Sequence, residues 1–298
     1  MQKIPLIQER YKMSLSISNQ ETESKHLKLI EDALLIFILT FAQGFLNHWW
    51  HVKFLLMTVL IVSYFTKLRF RFPIIFWSLI LVLVSFDIIQ YYFLAANHSF
   101  VLFFLTLLIL LSHVFKKNRS EVIRINSIIM LAIIMFFGAF QKIISPEFMS
   151  GDFVSFISLK GELFKPLQIA QIIPDVFNEN LALINADRKK IPDPNVIIQL
   201  KTPFAGYEIF VFYFTQWIVL MEFLIVPMLF LKNQNIKNIS IILFLFGLLF
   251  TRFETGFLSL LVIISLGQLP PNLIKIKWAY IGLFAICLAL ILARIGLR

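Results

Sequence analysis

Residues 136–152 read FFGAFQKIISPEFMSGD. The first half closes a long apolar run, the run stops at Lys142, and a Ser-Pro step at Ser145 and Pro146 opens the one long polar segment inside the hydrophobic part of the chain. An apolar run that ends in a cation and meets a proline reads as the end of a membrane-spanning helix. The composition agrees. With 59% hydrophobic residues, 15% charged residues and 34 phenylalanines in 298 residues, and a mean hydropathy of +0.85, no globular surface could hide the apolar area, which excludes a soluble domain. The net charge of +10 does not point to nucleic acid, because the basic residues fall in short connections between apolar runs, where they set orientation in a bilayer.

Working outward, a span needs about 20 apolar residues, and about eight runs approach that length: 30–47, 51–66, 73–95, 99–115, 122–144, 204–231, 239–266 and 273–294. The fold expected is therefore all-α integral membrane, a polytopic bundle of about eight transmembrane helices with one long outer loop. Residues 1–29 are polar and mixed in charge, without the apolar core of a signal peptide, and read as a cytoplasmic tail ahead of a membrane domain over 30–298. Lys67, Arg69 and Arg71, then Lys116, Lys117, Arg119 and Arg124, then Lys232 and Lys237, and finally Arg294 and Arg298 fall on one side of an eight-span chain. That side is read as the cytoplasm, with both termini inside and Lys275 and Lys277 as the exceptions. The segment 145–203 is then an extracytoplasmic insert, divided by Pro166, Pro174, Pro192, Pro194 and Pro203 into short helical or turn pieces that cover the outer face. The single cysteine, Cys287, rules out an intrachain disulfide and a cysteine metal site.

Chemistry is sought among polar groups that cost free energy where they sit. In the expected spans these are Asp87, Glu222, Arg252 and Glu254, each costing roughly 2.5–3.5 kcal/mol near the bilayer centre unless it faces protein or water. In one continuous helix over 239–266, Arg252 and Glu254 point apart and each seeks a partner elsewhere, with Asp87 as a candidate for Arg252. Such residues commonly serve as interhelical glue, and otherwise as a site. On the expected outer face, Asn47, His48, Trp49, Trp50 and His51 form an aromatic belt. His48 and His51 are too few for a metal centre, so no metal is expected. Asn97 can cap the fourth span, while His98 beside it can bind a proton or donate to a substrate oxygen. Lys142 has two readings: snorkelling to the headgroups at a helix end, or turning inward among Phe136, Phe137 and Phe140 as a base.

A resemblance bears on the same residues. The run FFGAFQKIISPEFMSGD resembles a segment of the vitamin K-dependent γ-glutamyl carboxylase family and of the wider bacterial HTTM (horizontally transferred transmembrane) domain, in which an aromatic, glycine-containing helix ends in a lysine before an acidic or polar turn. Asn97, His98, Ser99 and Phe100 resemble that family's Asn-His-Ser-aromatic turn. Residues 252–270, RFETGFLSLLVIISLGQLP, resemble a late helix of the family, with Arg252 where histidine is usual, and EFLIVP at 222–227 resembles its Glu-x-x-x-Pro helix with one extra residue.

The resemblance implies a bacterial cytoplasmic (inner) membrane protein in which Lys142 is the base toward a vitamin K-like quinol and His98 assists. The carboxylases' large lumenal domain is not matched, so protein carboxylation is not implied. Three functions follow as expectations. One is a membrane enzyme with Lys142 and His98 catalytic, abstracting a proton from a quinol or other lipophilic substrate held by Asn97, Glu254, Arg252, Asp87, His48 and His51. Another is a non-catalytic accessory for maturation or export of a secreted peptide of the sporulation-delaying toxin type. The third is a proton-coupled transporter, against which the sequence shows no internal repeat and no pair of interrupted helices in matching positions.

Overall fold

The computed structural model describes residues 21–40, 50–90, 97–115, 118–170, 176–188, 198–252 and 254–293. Among these residues the only regular elements are helices: α1 (21–40), α2 (Trp50–Thr66), α3 (Leu68–Arg71), α4 (Pro73–Gln90), α5 (Asn97–Val114), α6 (Arg119–Ile144), α7 (Pro146–Met149), α8 (Asp152–Leu159), α9 (Lys165–Ile169), α10 (Val176–Arg188), α11 (Tyr207–Met228), α12 (Gln234–Arg252), α13 (Thr255–Gln268) and α14 (Ile274–Leu292). Four of them, α6, α11, α12 and α14, are long and apolar enough to cross a membrane, while the apolar stretches Phe54–Thr66, Pro73–Phe86, His98–Val114 and Thr255–Gln268 are shorter. The chain is thus a helical membrane protein, and the eight-span count is not carried by helix length. It divides within α6 into two compact units, one of residues 1–130 with 255–297 and one centred on 131–254.

The first unit is built round α13. From Leu258 to Gln268 every residue of this helix is buried, so it is apolar on all faces and contributes side chains to its neighbours in every direction. Of its buried hydroxyls, those of Ser259 and Ser265 each donate to a carbonyl one turn back, on Thr255 and Leu261, at 2.7 Å, while the Thr255 hydroxyl has no hydrogen-bond partner among the described residues. Helices α5 and α14 pack along it, and α4 packs on α5. The polar segment that precedes the first apolar run does not stay a tail throughout. Residues 21–29 begin α1, His26 and Leu27 are buried, and the His26 Nε2 sits 3.1 Å from the Leu266 carbonyl. Higher on α1, Glu31 is paired with Arg119 and lies 3.1 Å from His113, while Asp32 holds Arg69 at 2.5 Å. These pairs pin α1 to α3, α5 and α6 by desolvated charge.

In the second unit the chain folds back along α11. Ser145 caps α7, accepting from the Phe148 N–H at 3.3 Å, with Pro146 in the first turn where its missing donor costs nothing. Gly151 then takes φ +89°, and a Cβ there would fall 3.2 Å from the Phe212 Cα. Both facts require glycine. The contacts from Lys142 to Glu222, from Gln216 to the Met149 carbonyl at 2.9 Å and from the Tyr207 hydroxyl to the Ser155 carbonyl at 3.5 Å run in reverse order along α11. The end of α6, α7 and α8 therefore form one interrupted strand of chain antiparallel to α11. Phe148, Val154, Leu159, Leu163, Phe177, Tyr207, Val211 and Val219 make the core between them. The Phe164 N–H donates to the Thr251 carbonyl at 2.8 Å, which ties α9 to the end of α12.

One expectation needs correction. The run 239–266 is not one helix, because α12 ends at Arg252 and α13 starts at Thr255. Arg252 and Glu254 consequently do not point apart: with the helix ended, they face each other, Nε to Oε1 at 3.0 Å, while the side chain of Asp87, the other candidate for Arg252, lies outside the described residues. The start of the expected outer insert, 145–159, forms the short helices α7 and α8, which pack against α11 and bury Phe148 and Val154.

Candidate functional site

The site that emerges is the contact between the end of α6 and the middle of α11. Gly138 and Lys142 are four residues apart and share a face of α6. Lys142 Nζ pairs with Glu222 Oε1 and lies 5.6 Å from the centre of the Phe148 ring. Glu222 stands fifteen residues into α11, roughly 22 Å from its start at Tyr207 and about 9 Å from its end. Its residue exposure is 8%, so the carboxylate is buried, although Lys142 stands in the last turn of α6.

The two oxygens of Glu222 differ. Oε1 accepts from Lys142, whereas Oε2 is buried and has no hydrogen-bond partner among the described residues. A Cβ added at Gly138 would lie 3.7 Å from this oxygen, in ordinary van der Waals contact, so the glycine leaves room for about one methyl group beside it. A buried carboxylate oxygen without a donor loses a charge-assisted hydrogen bond, a deficit of about 1–3 kcal/mol. It is also a ready acceptor for an O–H or N–H brought by a ligand. Two positions along α6 from Gly138 and Lys142, and so on another face of the helix, Phe136 stacks on Phe140 with centroids 6.1 Å apart and reaches Phe223 of α11 at 6.5 Å. Phe136, Phe137, Phe140 and Phe223 are all more than 40% exposed. An apolar molecule in lipid would meet these rings first.

Of the other residues singled out from sequence, His98 occupies the first turn of α5 in the first unit and is partly buried. Asn97 starts the same helix and Asp87 lies in α4, with both side chains outside the described residues. His51 is exposed in the first turn of α2, and His48 lies outside the described residues. Arg252 and Glu254 pair with each other at roughly half exposure. Among the described residues no group of three or more His, Cys, Asp or Glu could hold a metal ion.

Sequence reasoning named Glu222 as a costly membrane charge but not as the partner of Lys142. Charge balance was the available signal, since an isolated cation and an isolated anion in separate apolar runs are each relieved by the other. Comparison with protein-family models, with curated proteins and with solved structures gave no match.

Proposed function

We propose that this membrane protein is an HTTM-type enzyme of the bacterial inner membrane, in which the Lys142–Glu222 pair exchanges a proton with a lipophilic substrate of the quinol class. The observation that carries the reading is the unpartnered Oε2 of Glu222 beside Gly138, next to an amine already in contact with Oε1. The ammonium of Lys142 passes a proton to Glu222, leaving a neutral amine and a carboxylic acid. The amine then takes the O–H proton of the substrate, and the resulting oxyanion is paired with the restored ammonium. One proton leaves the substrate and one is gained by Glu222, so the charge inside the apolar site stays balanced throughout.

The test uses the full chain in lipid nanodiscs with a photoreactive naphthoquinone probe. Saturable labelling within 136–148 and 216–223, displaced by unmodified vitamin K and lost in Gly138→Leu, is the expected result. Labelling that does not saturate, or that persists unchanged in Gly138→Leu and Lys142→Met, would overturn the reading.

A second reading, proton-coupled transport, draws on the interrupted runs at Ser145–Pro146 and between Arg252 and Thr255, because helices broken inside an apolar stretch are a feature of transporter sites. An imposed pH gradient that decays faster across proteoliposomes of the wild type than of Glu222→Gln would favour it.

A further inference from the structure

The connection between α2 and α4 carries cations and aromatic rings in alternation. Lys67 adopts φ +52°, a left-handed conformation that ends α2. The single turn of α3 follows, with the sequence LRFR and Phe72 after it. Phe70 and Phe72 are 59% and 44% exposed. Each ring carries a cation: Lys28 Nζ lies 5.4 Å and Arg69 Cζ 4.6 Å from the Phe70 centroid, and Arg71 Cζ lies 5.3 Å from that of Phe72. Only Arg69 is committed to a carboxylate, that of Asp32. Lys28, Lys67 and Arg71 are exposed and pair with no carboxylate among the described residues. Just before them, Tyr64 and Phe65 are 81% and 78% exposed at the end of α2.

We infer that this connection is a binding surface for the headgroup of an anionic phospholipid. The flanking helices are apolar, so their connection lies at the rim of the bilayer, where a ligand offers a charged head and an apolar tail together. A guanidinium resting on a ring keeps its N–H edges free for phosphate oxygens. The exposed rings match acyl chains at headgroup level. Neither free phosphate nor an acidic protein surface supplies both halves, whereas an anionic lipid does. This site belongs to the first unit and is independent of the Lys142–Glu222 reading.

The experiment is native mass spectrometry of the full-length protein, delipidated in neutral detergent and offered equal amounts of dioleoylphosphatidylglycerol and dioleoylphosphatidylcholine. The wild type is expected to retain phosphatidylglycerol in preference, and inorganic phosphate should not displace it. Arg71→Gln and Lys67→Asn are each expected to weaken retention about fivefold, asparagine being chosen because it tolerates the left-handed turn. Lys201→Gln, at an exposed ion pair with Glu179 in the other unit, should leave retention unchanged. Absence of a phosphatidylglycerol preference, equal retention in Arg71→Gln, or displacement by inorganic phosphate would overturn the assignment. The Arg71 side chain makes no hydrogen bond or ion pair among the described residues, only the ring contact with its neighbour Phe72, so its variant tests the claim without loss of a polar structural contact.

Discussion

A lysine and a glutamate withdrawn from water together are held by each other, because the desolvation each suffers is offset only while the other is present. Lys142 and Glu222, with side chains 19% and 11% exposed, meet that condition, and Arg252 and Glu254, at 45% and 46%, do not. We therefore expect Lys142→Met and Glu222→Met singly to lower stability by about 3–5 kcal/mol, and the double variant to recover most of the loss. Arg252→Ala should change stability by less than about 1 kcal/mol. Thermal unfolding in detergent measures all four. Lys142 was legible in the sequence as a cation interrupting an aromatic run. Its partner was not, because the meeting depends on residues 142–155 running back along α11, a register set by the Gly151 turn and the Ser145 cap and not by periodicity.

Between elements, contact is decided by a few small or neutral groups. A Cβ at Gly267 of α13 would collide with the Ser127 hydroxyl of α6, and Ser127 is fully buried. Gly267→Ala should cost about 1–3 kcal/mol, and adding Ser127→Gly should restore much of it, as read from the unfolding midpoint. Helix α1 docks through His26, which is 3% exposed. Burial, reinforced by the charge of Lys277, lowers its pKa from the usual histidine range. The folded state thus binds the proton less readily than the unfolded chain, so stability is complete above the ordinary value of about 6.5 and falls as the pH drops through and below it. A midpoint that declines between about pH 7 and pH 5 in the wild type, and less so in His26→Asn, is the expected outcome. The sequence named Pro166 among the prolines that divide the 145–203 segment, and α9 begins beside it at Lys165. It concealed the break after Arg252, since the apolar residues continue on both sides and only the paired charges marked it.

At the scale of the whole chain, apolar side chains stay on the outside of the long helices. Along α11 alone, Ile209, Phe210, Tyr213, Trp217, Leu220 and Phe223 are exposed, which only a lipid environment renders stable. The membrane assignment was readable from composition, because no folding of these residues could bury them all. The proposed function rests instead on one charged contact, Lys142 with Glu222, in which one carboxylate oxygen has no partner among the described residues. Infrared difference spectroscopy of the reconstituted protein, recorded on adding a naphthoquinol, tests that claim most directly. The account predicts that the carbonyl stretch of a protonated carboxyl appears with the ligand in the wild type and is absent in Glu222→Gln. A carboxyl region unchanged by the ligand, or changed equally in Glu222→Gln, would contradict it.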